Sequence, residues 1–167
     1  VLLEPTIDKV WFVVSPQNPF KRSSSLLSEH SRYYLTQLAT EENPNFAVSN
    51  IEFSMPKPSY TIDRLHYLKE KHSGKEFSIL MGGDNLSSFH KWKNYEQILE
   101  NYKIYVYKRP DYELGEGSTH KNLKFLEVPM MSISSTLIRE RIRNNQSYKY
   151  LVSEKIELEI EKAGFYK

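Results

Sequence analysis

Three hydroxyl residues stand side by side late in the chain, Ser134, Ser135 and Thr136, and three arginines follow at Arg139, Arg141 and Arg143. Leu137, Ile138 and Ile142 recur at helical spacing, so the stretch reads as a helix with one buried face. A hydroxyl at or near Ser134 can cap it by accepting a bond from a free backbone N–H. A first turn ordinarily favours acids, because the helix dipole leaves partial positive charge there. Here Glu140 is the one acid between Ser132 and Arg143. Ser135 and Arg139 are four apart and share a face. Free N–H groups, hydroxyls and a guanidinium at one helix mouth form an anion site, and phosphate is the anion such donors fit. The plainer alternative is a capped helix whose arginines lie in solvent. A second stretch with chemical content is Gly82-Gly83-Asp84, directly after the apolar run Glu76 to Met81. Small residues at a strand's carboxyl end let a ligand approach the backbone, and an Asp there can hold a ribose hydroxyl. Taken alone, Gly-Gly-Asp is equally a turn.

The elements that must position these residues follow from apolar patterning. Lys9 to Ser15, Phe46 to Phe53, Glu76 to Met81, Tyr102 to Tyr107 and Leu123 to Val128 are runs rich in β-branched and aromatic residues, read as buried strands. Helices are expected over Ser28 to Glu42 (stripe Tyr34, Leu35, Leu38, Ala39), from Tyr60 to the stop at Gly74 (Ile62, Leu65, Leu68 inward), near Asn94 to Asn101, from Ser134, and from about Ser153 to Ala163. Val1 to Pro5 reads as the end of a helix. Polar loops lie around 16–27 and 111–120. Strands alternating with helices predict an α/β fold, a Rossmann-like parallel sheet with helices on both faces. Ligands in such folds bind outside the carboxyl ends of the strands. The loops along that edge carry Lys21, Thr61, Asp84, Trp92, Arg109, Ser134 and Arg139.

Composition narrows the class. The chain has 167 residues, enough for a single domain that buries roughly 70% of its unfolded surface. A net charge of +2 gives no case for nucleic-acid or membrane partners. With no cysteine there are no disulfides and no thiolate metal sites, which fits a cytoplasmic protein. The longest strongly apolar run, Val10 to Val14, is too short to span a bilayer.

The motifs in order resemble one family. Pro58-Ser59-Tyr60-Thr61, Met81-Gly82-Gly83-Asp84, Trp92-Lys93-Asn94-Tyr95-Glu96, Lys108-Arg109-Pro110 and Ile133-Ser134-Ser135-Thr136-Leu137-Ile138-Arg139 are similar to those of bacterial nicotinate mononucleotide adenylyltransferases, within the nucleotidyltransferase superfamily. Gly164-Phe165-Tyr166 also fits the family's ending. The resemblance covers essentially the whole chain, with one departure. The family's Gly-x-Phe-x-Pro-x-His-x-Gly-His signature, borne on its first strand and following helix, has no counterpart here. None of His30, His66, His72, His90 and His120 stands in a His-x-Gly-His frame. The expectation is a single nucleotidyltransferase domain over 1–167, incomplete at its amino end, lacking that central strand.

The resemblance implies adenylyl transfer from ATP to nicotinate mononucleotide. Ser135 and Arg139 would act on the reacting phosphates. Ser134, Ser135, Thr136 and Arg139 would hold the outgoing pyrophosphate end, with Gly82, Asp84 and Arg109 as further ATP contacts. For the acceptor, Trp92 would stack on the ring, while Thr61 and backbone amides near Ile62 and Lys93 would receive its carboxylate, with Tyr60 beside them. Lys21 and Arg32 would meet the mononucleotide phosphate. Mg²⁺ would be held mainly by ATP phosphates and water, with no protein metal cage. Partners would be the two small-molecule substrates, and a homo-oligomer stays open. The rival readings are an adenylyltransferase using nicotinamide mononucleotide or phosphopantetheine, a non-catalytic nucleotide-binding module, and a plain interaction domain.

Overall fold

The computed structural model describes residues 1–16, 26–56, 59–108, 120–129 and 132–167. The chain gathers into two compact units: Ser59–Ser132 with Val1, and Leu2–Pro58 with Ile133–Lys167. The first is built almost wholly from one contiguous stretch of sequence. The second is built from both ends of the chain.

In the Ser59–Ser132 unit, helix α2 spans Thr61–Lys71 and buries Ile62, Leu65 and Leu68, the stripe its spacing predicts. Asp63 lies in its first turn and Lys69 and Lys71 in its last, each at the end where the dipole favours that sign. The His72 N–H bonds the Leu68 carbonyl, and Gly74 follows at φ +91, a conformation strained for any side chain. Strand β3 is Ile79–Gly82, followed at once by the single helical turn α3, Gly83–Leu86. Helix α4 is Tyr95–Asn101; β4 is Ile104–Tyr107 and β5 is Leu123–Leu126. The three strands form one parallel sheet in the order β3-β4-β5, with Ile79 opposite Ile104 and Ile104 opposite Leu123. Ile104 and Val106 of the central strand are fully shielded, as is Ile98 of α4, and they centre a core that also holds Ile62, Leu65, Met81, Phe89 and Tyr102. Parallel strands covered on both faces need no polar alternation, and β4 shows none.

In the other unit, β1 (Val10–Val13) pairs in parallel with β2 (Phe46–Ser49), Val10 opposite Phe46. Between them runs α1, Glu29–Thr40, whose Ser28 hydroxyl accepts from the Ser31 N–H. From the far end of the sequence come α5 (Ser135–Arg143) and α6 (Glu154–Ala163), the latter closed by Gly164 in the left-handed region at φ +65. Ile142, Ile156 and Ile160 form the core, with Leu35 and Leu38 of α1, Ile138 of α5, and Phe165 and Tyr166 packed against it. At the exposed end of this packing Lys155 reaches Glu41 and Glu42, each at 2.8 Å.

Among the described residues the five strands and their parallel sense agree with the sequence, and they pair as β1-β2 and as β3-β4-β5. Apolar runs announce strands. They do not say which strand lies beside which, since parallel neighbours are joined by long crossovers. Four local expectations are corrected. Residues Val1 to Thr6 form turns rather than a helix end. Phe12 is 37% exposed, so β1 is not buried on both faces. Tyr34 and Ala39 are exposed; the buried side of α1 is carried by Leu35 and Leu38. Finally, β2 stops at Ser49 and the chain tightens into a 3₁₀ turn over Ile51–Ser54. That turn carries Glu52 fully out of solvent, where it accepts a bond from the Ser15 hydroxyl at 2.9 Å. A buried carboxylate requires such a donor. Among the described residues no helix is long and apolar enough to cross a membrane.

Candidate active site

The residues singled out for the acceptor gather in the Ser59–Ser132 unit. Tyr60, in extended conformation, is the residue before α2, and its side chain supplies no cap to the helix. The first-turn N–H groups are therefore left to other partners. Thr61 opens the helix; its hydroxyl accepts from Arg64 Nη2 at 3.0 Å and keeps its own proton for donation. Ile62 is 2% exposed with its side chain in the core, so only its backbone can face a ligand. Trp92 is half-buried, packed edge-on to Phe89 with centroids 5.3 Å apart. The Phe89 carbonyl accepts from the Trp92 N–H at 2.9 Å, and Asn94 takes a left-handed φ of 52 to turn the chain into α4. Lys93, between them, reaches back 30 residues: its Nζ lies 3.0 and 3.2 Å from the two carboxylate oxygens of Asp63 and 4.8 Å from the centre of the Tyr60 ring. The start of α2 and the Trp92 segment are thus joined by side chains. Gly82 and Gly83 are buried where β3 passes into α3, and Asp84 is half-buried in that turn, its carbonyl accepting from the Ser87 hydroxyl at 2.8 Å. His90, beside the Trp92 segment, is exposed.

The residues singled out for phosphate gather in the other unit. The Ser134 hydroxyl caps α5 by accepting from the Leu137 N–H at 3.2 Å, as its position predicts. Ser135 and Thr136 are exposed in the first turn and Arg139 is half-buried one turn on. Arg139 and Ser135 lie one turn apart on α5, on the shared face their spacing predicts. Arg139 Nη2 donates to the Thr136 hydroxyl at 3.2 Å, three residues back. Arg32 lies in α1, where its Nε bonds the Leu27 carbonyl at 3.1 Å and its Nη2 the Pro16 carbonyl at 3.0 Å. It ties Leu27 to Pro16, a structural task the sequence did not suggest. Lys21 and Arg109 lie outside the described residues.

A cytidylyltransferase-like family model matches residues 2–141. A Cytophaga hutchinsonii protein named "Probable nicotinate-nucleotide adenylyltransferase" is 47% identical over 151 residues, covering 90% of this chain and 79% of its own length. A Flavobacterium psychrophilum protein of the same name is 43% identical over 163 residues, covering 96% and 84%. The chain belongs to the nicotinate-nucleotide adenylyltransferase family. Its fold is that family's Rossmann-like nucleotidyltransferase fold. The Plasmodium falciparum nicotinic acid mononucleotide adenylyltransferase complexed with NaAD superimposes with a TM-score of 0.79 at 17% identity, over 95% of this chain and 82% of that one.

Two features of this family member escaped the sequence. Burial pushes the Tyr166 phenol above its ordinary range, and the charges of Arg139 and Arg32 pull the other way. One phenol therefore feels both guanidinium groups, which stand in helices α5 and α1. Tyr166 itself sits at φ 68, a left-handed conformation unusual for a large side chain. Nothing in the spacing of residues 32, 139 and 166 announces this grouping. The second is Asp63, which the sequence marks only as a favourable acid in a first turn; its pairing with Lys93 spans too much chain to be read from a pattern.

Proposed function

We propose that the protein transfers the adenylyl group of ATP to nicotinate mononucleotide, giving nicotinate adenine dinucleotide and pyrophosphate, in NAD biosynthesis. The observation that carries this reading is the α2 mouth. A helix start without a side-chain cap, bearing Thr61, stands joined through Lys93 to the half-buried plane of Trp92. N–H donors and a hydroxyl suit a carboxylate, and an indole face suits the aromatic ring that carries it. Nicotinamide would bring an NH₂ donor against these donors and is disfavoured. Supporting it are the relatives above, each named a probable nicotinate-nucleotide adenylyltransferase.

In the step itself a phosphate oxygen of the mononucleotide attacks the α-phosphorus of ATP. The bond from that phosphorus to the bridging oxygen breaks, and its electron pair leaves on pyrophosphate. The protein's work is positioning and charge neutralisation. Ser135, Thr136 and Arg139 donate to the departing phosphates, with the first turn of α5 behind them. Ser134, already accepting from Leu137, has its proton left to give. Gly82 and Asp84 are assigned to adenosine, Tyr60 to the wall of the acceptor site, and Arg32 to the mononucleotide phosphate; Lys21 and Arg109 are assigned as further phosphate contacts. Among the described residues no three His, Asp or Glu side chains are grouped to hold a metal ion. Mg²⁺ is assigned to the ATP phosphates, where it would offset their charge. The reading places the protein in the cytoplasm.

The test is turnover with ATP and each of the two pyridine mononucleotides. The acid should be used at least ~10-fold more efficiently than the amide, the order of discrimination expected when donors meet a donor. Equal use would remove the acceptor assignment, and turnover of phosphopantetheine instead would move the protein to another branch of the superfamily.

A further inference from the structure

The Asp63–Lys93 pair has a place its strength does not explain. Both side chains are well exposed, 40% and 44%, and ion pairs so placed add little to stability. Yet the pair lies at the one helix start that the proposed function assigns to the acceptor's carboxylate. Asp63 is the third residue of α2. From there an acid can turn back onto the helix's own free N–H groups, as the acid of a capping box does. It would then occupy the donors the substrate needs and set a negative charge against an incoming carboxylate. In this protein both Asp63 oxygens face Lys93 Nζ instead, and the ammonium is also seated over the Tyr60 ring. Three partners, two oxygens and a ring face, hold it in place.

We infer that the Lys93 ammonium is an internal counter-ion that draws Asp63 away from the mouth of α2 and so sets the preference for an acidic acceptor ring. Lys93 here is a positioning and specificity residue through its side chain, apart from its backbone amide. The inference rests on the acceptor assignment above, and it predicts an asymmetry that a simple strut would not produce. Lys93→Met leaves Asp63 charged and unpaired beside the carboxylate site. The KM for nicotinate mononucleotide should rise about 5- to 10-fold, as expected for one added like charge near the surface. The kcat and the KM for nicotinamide mononucleotide should move less than about 2-fold, because the amide carries no ring charge. Adding Asp63→Asn to Lys93→Met removes the offending charge without restoring the tie. It should return the acid's KM to within about 2-fold of wild type.

Steady-state kinetics of wild type, Lys93→Met, Asp63→Asn/Lys93→Met and the charge-keeping Lys93→Arg, each checked for an unchanged melting curve, decide the matter. Rescue by the second substitution supports the inference. A double variant as impaired as Lys93→Met, or equal KM rises for both mononucleotides, overturns it and leaves the pair as a tether between two segments. Should Lys93→Met fail to fold, Lys93→Gln with and without Asp63→Asn gives the same comparison. If the wild type shows no preference for the acid, the functional reading falls and takes this inference with it. If the preference stands and the rescue is absent, only the inference falls.

Discussion

Arg139 donates across one turn of its own helix to the Thr136 hydroxyl, and its charge also reaches the Tyr166 phenol. Neither partner is an anion, so the guanidinium charge is left to act on a ligand, one turn from a helix start that itself favours anions. The proposed role follows: Arg139 meets the triphosphate. Arg139→Ala should weaken ATP binding or turnover about 10-fold or more, in line with loss of a charge-assisted hydrogen bond worth roughly 1.5–3 kcal/mol. Titration calorimetry with a non-hydrolysable ATP analogue checks it, and an unchanged affinity would mean that the arginine only braces Thr136. At this scale the sequence is informative where a residue's role depends on near neighbours. Ser134 as a cap, Ile62 as a core residue and Gly164 as a helix stop are all determined within a few positions. The Arg32 bonds to Leu27 and Pro16, and the pairing of Asp63 with Lys93, join residues 5 to 30 positions apart, each an individual contact that no repeat encodes. No periodicity points to them.

Helix α5 shows how one element serves both fold and site. Its buried side is set by Ile138 and Ile142, its start by Ser134, and its exposed first turn holds Ser135 and Thr136. The cap fixes where the turn begins, and hence where the hydroxyls and N–H groups point. Ser134→Ala should therefore lower stability by about 1 kcal/mol, whereas Ser134→Gly should cost only a few tenths. Paired denaturant melts measure the difference; an unchanged stability in Ser134→Ala would show that the hydroxyl is not the cap. Elements with a single clear stripe, such as α2, α5 and α6, are legible because the buried face repeats at 3.6 residues. The ends of β2 and the exposed face of β1 are not. Phe12 and the Ile51–Ser54 turn have compositions that suit a buried strand, and only tertiary surroundings decide otherwise. Sheet membership is a further step removed, and which strands pair could not be told from apolar runs alone.

At the scale of the whole chain, the unit formed by Leu2–Pro58 and Ile133–Lys167 closes a core from segments that the rest of the sequence separates. Leu35 and Leu38 have their buried partners in Ile142, Ile156 and Ile160, more than a hundred positions later. Neither half can bury its apolar stripe alone, so the amino-terminal elements owe their stability to the last two helices. Ile160 is 3% exposed at the centre of this core. Ile160→Ala removes three carbons from a packed site and should cost about 2–5 kcal/mol, the upper part of the range if the cavity cannot collapse. The loss should not stay in α6. Native-state hydrogen exchange should show amides of α1 losing protection together with those of α5 and α6, because one core stabilises all three. Amides at the centre of the other unit, at Ile104 and Val106, sit in a separate core and should respond only to the extent that they exchange by global unfolding. If α1 keeps its protection while α6 loses it, the amino-terminal elements have a core of their own, and the two ends of the chain are not one cooperative body.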